Sequence, residues 1–382
     1  MKKVKILAVG IGGYGNIFIE SYLKKQHPGC ELVGVVDVYP QGCRYYQQLI
    51  DMGVSLYADM DAFFTEKSAD LTVITTPIHL HTRQILCALE HGSNVICEKP
   101  LSADAGDEKI LCEARDKAGK FVSIGYQWSY SEAINALKRD IMAGRYGKPE
   151  FMKSIVLWPR TRSYFTRGIG WAGKLKADDG TPLNDSVVNN ATAHYPHNIF
   201  YVLGGAVGKS AEVVDLSADL VRANDIENFD TATIRFTLDN GARGIYVASH
   251  ATLTANEPEF EYRFSGGIVS YDSVIGKVVG RLNTGKVIEY GDPFEDVTLK
   301  YWYAIDALVE GKVYEPLCGI ETAAAQVRFI AKLQHIPIKQ ISEDMRLERE
   351  DGLVYIKDAA ELLRRCYDEE KLLSETNEYK NW

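Results

Sequence analysis

Five short apolar runs, "VKILAV" (4–9), "LVGVVD" (32–37), "LTVITT" (71–76), "NVICE" (94–98) and "FVSIG" (121–125), alternate with polar-apolar stretches of helical length in the first third of the chain. Strands of that composition alternating with helices imply a parallel sheet covered on both faces. One connecting stretch, "SADAGDEKILCEARDKAG", carries its own punctuation, with Ser102 as an N-cap and Gly119 as a stop.

From about residue 126 the pattern changes. A helix-like stretch (131–143) and a strand, "EFMKSIVLW", precede a long irregular segment and another helix-like stretch. Strand candidates then follow in succession: "AEVVDLSADL", "TATIRFTL", "ARGIYVAS", "FEYRFSG", "IVSYDSV" and "GKVIEY", separated by short turns such as "DNGA" and "SGG". Several alternate apolar and polar residues, as antiparallel meanders do. Two helices, "LKYWYAIDALVEG" and "GIETAAAQVRFIAKLQH", are expected to close this second domain, and a charged helical tail ends the chain. A chain of 382 residues exceeds what one hydrophobic core organises. The expected fold is an α/β domain with a parallel sheet (1–125) plus a C-terminal α+β domain (126–382) with a large open, mostly antiparallel sheet.

Composition narrows the partners. An apolar share of 46% and a charged share of 25% are those of an ordinary folded protein. A net charge of -9 argues against nucleic acid or an anionic membrane as the main partner. The seven cysteines include no CxxC pair and read as reduced thiols, hence a cytoplasmic setting. The start, "MKKVKILAVGIGGYG", has too short an apolar run for a signal peptide or a membrane span.

"AVGIGGYGNIF" fits GxGxxG with Gly10, Gly12 and Gly15, directly after the first strand and opening a helix. Gly10 makes a tight turn, Gly12 lets backbone approach a pyrophosphate, and Gly15 lets the helix pack on the strand. Asp37 ends the second strand, 22 residues beyond Gly15, where a carboxylate can accept from both ribose hydroxyls of an adenosine. The plainer reading is a glycine-rich turn with a solvated acid at a strand end. Thr75, Thr76, Pro77, His79 and His81 follow the next strand and belong to the same crevice wall. The His79/His81 pair invites a zinc reading, but no further ligand lies at metal-site spacing, so no metal site is expected. Lys99 emerges from "ICEKPL" at the following strand end, and Pro100 biases it toward extended geometry. Taken alone, it could be a surface lysine.

"GIGGYG", "TPIHLH" and "CEKPLS", in this order and spacing, resemble the Gfo/Idh/MocA oxidoreductases. The likeness extends to "GYQWSYSEAINALKRDIMAGRYGKPEF", similar to the family's crossover into the second domain, and to "EPLCGIETAAAQVRFIAKL", similar to its closing helix. The resemblance implies a Rossmann domain and an open-faced α+β domain with NAD(P) between them. It puts the lysine of "EKP", Lys99, at the reacting carbon, and Gly10, Gly12, Gly13, Tyr14, Gly15, Asn16, Asp37, Thr75, Thr76, Pro77, His81 and Glu98 about the cofactor. Asp37 would repel a 2'-phosphate and no basic residue follows until Arg44, so NAD(H) is expected over NADP(H). A homo-oligomer, dimer or tetramer, through the open sheet is also expected.

The family's second catalytic element is an acid, a histidine four residues on, then often another acid three beyond. "NNATAHYPHNIFYVLGG" resembles it with Asn190, His194 and His197 at those positions, of which only His194 matches strictly. Spacings of four and three share one helical face, but Pro196 fits only if the helix begins near His194, which would leave Asn190 outside it. A structural histidine near a helix start is the competing reading. From Trp158 to Ala177 the chain has Arg160, Arg162, Arg167, Lys174 and Lys176 and no acid, interleaved with Trp158, Tyr164, Phe165 and Trp171. Aromatic faces stack on sugar C–H surfaces and arginines bind carboxylate, phosphate or hydroxyls, so this loop is expected to face a substrate. The alternative is a solvated basic surface or an oligomer contact. Gln127, Trp158, Arg162, Tyr164, Trp171, Tyr195 and His197 are the expected substrate residues; Lys99, His194 and Asn190 the catalytic ones.

These parts together suggest an NAD-dependent dehydrogenase of a sugar or polyol CH–OH group. His194 would take the hydroxyl proton and Lys99 would hydrogen-bond the same oxygen. Two other functions fit the same residues: elimination or glycoside cleavage driven by transient oxidation, and a nucleotide-binding regulator without turnover.

Overall fold

The computed structural model describes residues 3–167 and 170–382. Gly168 and Ile169, part of the loop expected to face a substrate, lie outside the described residues, as do Met1 and Lys2. The chain divides into two compact units, Met1–Tyr130 with Asp296–Ala324, and Ser131–Glu295 with Ala325–Trp382.

The first unit is built on six parallel strands, β1 (Val4–Val9), β2 (Cys30–Val36), β3 (Leu56–Tyr57), β4 (Leu71–Ile74), β5 (Asn94–Cys97) and β6 (Val122–Ile124), in the order β3-β2-β1-β4-β5-β6. The order reverses between β1 and β4, and an open α/β sheet offers a ligand crevice beyond the carboxyl ends of its strands at such a point. Strands β4 and β5 are buried at every residue, which is why they read as unbroken apolar runs. The helix Asp107–Ala118 stops at Gly119, whose φ of 62° is the left-handed conformation glycine favours. It starts at Asp107, not at Ser102, whose hydroxyl instead pairs with the Asp107 carboxylate.

The sequence division places residues 296–324 in the second domain, whereas they lie with the first unit. The helix Leu299–Glu310 buries Tyr301, Trp302, Ala304 and Ile305 in the same core as Ile6, Phe18, Ile19 and Val35. Trp302 Nε1 donates to Ser21 Oγ at 2.8 Å, and the Tyr301 ring meets Phe18 edge-on at 5.1 Å. An apolar helix face shows that a helix docks, not which sheet it docks on.

The second unit carries nine strands: β7 (Pro149–Leu157), β8 (Val213–Arg222), β9 (Thr231–Leu238), β10 (Arg243–Ser249), β11 (Asn256–Phe264), β12 (Gly267–Asp272), β13 (Lys277–Leu282), β14 (Val287–Gly291) and β15 (Ile338–Gln340). Their order is β14-β13-β12-β11-β7-β10-β9-β8-β15. Only the β10–β7 and β15–β8 pairs are parallel, so the sheet is mostly antiparallel, as expected. The helix Ala359–Glu369 places Leu362, Leu363, Cys366 and Tyr367 in a core with Ile155, Leu157, Ile245 and Val247.

Candidate active site

In the first unit the glycine-rich turn follows β1 directly. Gly10 has φ 78°, and a Cβ there would stand 2.7 Å from Thr76 Cγ2. A Cβ on Gly15 would collide with the Gly10 carbonyl oxygen and the Thr75 hydroxyl, so this glycine lets the helix Gly15–Lys25 press on the turn. At Gly12 and Gly13 a Cβ would meet nothing within 4 Å. That pattern, tight at the ends and open in the middle, is a cradle into which a phosphate group fits.

Asp37 closes the cradle from the end of β2. Its Oδ2 accepts the amides of Ile11 (2.7 Å) and Gly12 (3.3 Å), and its Oδ1 accepts the Tyr39 amide at 2.8 Å. The carboxylate therefore shapes the turn as well as placing a negative charge beside it. Asn16, expected at the cofactor, is buried and faces the protein instead. Its Nδ2 donates to the Gly13 carbonyl at 3.0 Å and its Oδ1 accepts the Arg44 amide at 2.8 Å.

Across the switch point, Thr75 Oγ1 donates to the Gly10 carbonyl and Thr76 Oγ1 to Gln84 Oε1 at 2.5 Å. The two hydroxyls thus bind protein groups, and the backbone at Thr75–Pro77 supplies the crevice edge. His81 corrects the sequence expectation. It is buried, with ring nitrogens on the carbonyl oxygens of Pro100 (2.8 Å) and Thr76 (2.9 Å), so it ties two crevice segments together and faces no ligand. Among the described residues no group of three or more His, Cys, Asp or Glu side chains could hold a metal ion.

Lys99 follows β5 and is half-buried, and its peptide bond to Pro100 is cis. Glu98 is another correction: its carboxylate points into the protein, where it pairs with Lys300 Nζ at 2.5 Å and accepts from the Tyr301 hydroxyl at 2.7 Å. Lys300 has a side-chain exposure of 0%. Its ammonium also donates to the Tyr14 hydroxyl (3.1 Å) and the Gly125 carbonyl (3.4 Å), and Tyr14 in turn donates to Gln127 Oε1 at 3.3 Å. Burial opposes the Lys300 charge, but the Glu98 carboxylate and the Tyr14 hydroxyl outweigh it and the pKa is raised. Sequence reasoning missed Lys300 and Tyr301 because they lie on a helix read only as packing. The available signal was a lysine inside the aromatic run "LKYWY", a position that demands a partner once buried.

In the second unit the helix His194–Val202 begins at His194 itself, and Pro196 falls in its first turn, where the missing amide costs no helical bond. Asn190 stands before it in a turn, its carbonyl accepting the Ala193 amide at 3.4 Å, so the shared helical face includes His194 and His197 but not Asn190. His197 does not present itself to a ligand. It is 1% exposed, stacked with Tyr201 at 6.1 Å, and burial together with the nearby Lys138 ammonium pushes its pKa down to about 3. Tyr195 is also buried, its ring edge-on to Trp158 at 5.7 Å. Trp158 Nε1 donates to Glu257 Oε2 at 3.1 Å.

The basic loop separates into two groups. Arg162 pairs with Glu348 Oε2 at 2.6 Å, and its amide donates to the Gly352 carbonyl at 2.9 Å. This engages it with the hairpin of the strands Arg346–Glu348 and Val354–Ile356 and corrects its expected role at a substrate. Lys174 pairs with Asp178 at 3.0 Å. Arg160 and Arg167 stand instead over aromatic rings, Arg160 at 5.6 Å from Trp158 and 5.1 Å from Tyr164, Arg167 at 3.7 Å from Tyr164 and 5.4 Å from Trp171.

Residues 4–126 match a family model, GFO_IDH_MocA, described as "Oxidoreductase family, NAD-binding Rossmann fold". Over that stretch, about a third of its length, the chain is similar to the Gfo/Idh/MocA oxidoreductases. An inositol 2-dehydrogenase of Pseudomonas savastanoi pv. phaseolicola is 28% identical over 147 residues, 38% of this chain and 44% of the relative. A 2,7-anhydro-N-acetylneuraminate hydratase of Mediterraneibacter gnavus is 26% identical over 148 residues, 39% of this chain and 38% of the relative. The chain thus spans less than half the length of both relatives. The WlbA dehydrogenase of Bordetella pertussis, solved with NADH and UDP-GlcNAcA, has the same fold. It superposes at a TM-score of 0.70 with 20% identity, covering 87% of this chain and 96% of that one.

Proposed function

We propose that this chain is an NAD-dependent oxidoreductase acting on a secondary alcohol of a sugar, polyol or sugar derivative. The observation that carries the reading is the open cradle at Gly12 and Gly13 set at the same strand ends as Lys99 within one unit. When bound, NAD supplies the hydride acceptor for alcohol oxidation. Gly12, Gly13, Asp37 and the Thr75–Pro77 backbone would hold it. The Lys99 ammonium donates to the alcohol oxygen and stabilises charge as it develops there, and His194 accepts the hydroxyl proton on a ring nitrogen. Formation of NADH across a panel of sugars, polyols and their acids tests this; no turnover with any of them, in protein that binds NADH, would favour a regulator. Elimination through transient oxidation is kept as a second reading because one relative is named a hydratase. Product analysis with a glycoside against its free sugar separates the two.

Cofactor choice follows from Asp37. Its carboxylate, held beside the cradle by the Ile11 and Gly12 amides, would repel a 2'-phosphate, so NADH should bind at least about tenfold tighter than NADPH. Fluorescence titration of both decides, and equal or tighter NADPH binding refutes the preference. The cradle has its own test. Gly12→Ala adds a methyl that meets nothing in the protein, so urea unfolding should be nearly unchanged while NADH affinity falls. Gly15→Ala puts its methyl against the Gly10 carbonyl and should cost about 1–3 kcal/mol of stability.

We also place the protein in the cytoplasm, on its seven free thiols. A dimer or tetramer through the nine-stranded sheet is supported by Val214, Ile268 and Val287, exposed apolar residues on its strands. Analytical ultracentrifugation measures it.

A further inference from the structure

The five cations of the loop from Trp158 to Ala177 are not equivalent. Arg162 and Lys174 are paired with acids, and Lys176 is exposed. Arg160 and Arg167 share the Tyr164 ring, which places their guanidinium carbons within about 9 Å of each other. Among the described residues neither forms an ion pair with a carboxylate, and the buried Nε of Arg160 has no hydrogen-bond partner. A buried N–H donor without an acceptor is costly, and such a group marks a place where a ligand or ion completes the structure.

One carboxylate, that of buried Asp185, acts on the Tyr164 ring the two arginines share, and the other groups around the pair are neutral or engaged. His250 lies beneath it, held by the Trp158 carbonyl at 2.8 Å and by the Tyr164 ring at 5.5 Å, and the Arg160 amide donates to its carbonyl. Burial, reinforced by the two arginines, pushes the His250 pKa down to about 3, so its ring is neutral. Asp185, which bears on Tyr164, accepts the Gly173 amide at 2.6 Å through Oδ2. A guanidinium carries five N–H donors, so Arg167, which hydrogen-bonds the Tyr164 side chain, and Arg160, whose Nε is unpartnered, both keep donors for a planar or tetrahedral oxyanion.

We propose that Arg160 and Arg167 form an oxyanion subsite, so that the substrate is an acidic sugar or polyol carrying a carboxylate or a phosphate. The inference rests on the oxidoreductase reading for the sugar or polyol frame that bears the anion; the anion itself is read from the two arginines. Arg162, which sequence spacing alone makes equivalent to them, differs in having a carboxylate partner, Glu348.

Isothermal titration of D-glucose, D-glucuronate and D-glucose 6-phosphate, with and without NADH, tests it. At least one of the two acids should bind about tenfold or more tighter than glucose, and whichever does identifies carboxylate or phosphate. In Arg160→Gln/Arg167→Gln that preference should vanish, whereas Arg162→Gln should keep it. Equal binding of glucose and both acids by the wild type, no binding of either acid, or a preference that survives in the double variant would each overturn the subsite. Should the double variant not fold, Arg167→Gln at its exposed position carries the same comparison. NADH is titrated separately, so failure of the oxidoreductase reading shows as lost cofactor binding while the preference for acids is still read without it.

Discussion

Lys99→Met should lower kcat on a verified substrate by about 10²- to 10⁴-fold, and His194→Ala by a similar factor, the range of groups that stabilise a developing oxyanion or move its proton. NADH should bind both variants as it binds the wild type, because Gly12 and Asp37 are untouched. If both act on one oxygen, as proposed, the double variant should fall by much less than the product of the two single effects. If the losses multiply, the two groups act on different atoms and the proton assignment to His194 fails. If Lys99→Met keeps near-normal kcat, the lysine between Glu98 and Pro100 is structural and the active-site assignment falls with it. His194 is buried at the first turn of its helix, so its variant also needs an unfolding curve to separate lost chemistry from lost structure.

What the sequence made legible follows from burial and locality. Strands β1, β4, β5 and β6 are short apolar runs because both faces of a parallel sheet are covered, and the glycine turn is visible because its constraints lie within six residues of one another. The strand β3 has two residues and no period to detect, and β13 hides in "KVVGRL", where Gly280 interrupts the pattern. Long-range pairing was beyond reach. Arg162 and Arg160 are indistinguishable by spacing, yet one meets an acid 186 positions away and the other meets rings. The same limit applies to Glu98 and His81: both stand in motifs that point to the crevice, and both turn inward to partners that the local sequence does not name. Pro196 did carry usable information, since its missing amide set the helix start at His194 and left Asn190 outside.

The largest stability effect should come from the pair that spacing did not reveal. Lys300 and Glu98 are both buried, and removing one charge leaves the other without a counter-ion in a medium that solvates it poorly. Lys300→Met should therefore destabilise the first unit by about 3–5 kcal/mol. The partner substitution provides the control. Lys300→Met/Glu98→Gln removes both charges, and a neutral amide oxygen can still accept from the Tyr301 hydroxyl, so the double variant should recover most of the loss. Because the chain has two units, hydrogen exchange at the amides of the helix Gly15–Lys25 reports on the first one specifically. A charge pair predicts fast exchange in Lys300→Met and near-wild-type exchange in the double variant. If the double variant is as unstable as the single, the lysine acts through its packing against Tyr14 and Tyr301, 4.6 and 5.1 Å from their ring centres, and the ion pair contributes nothing of its own.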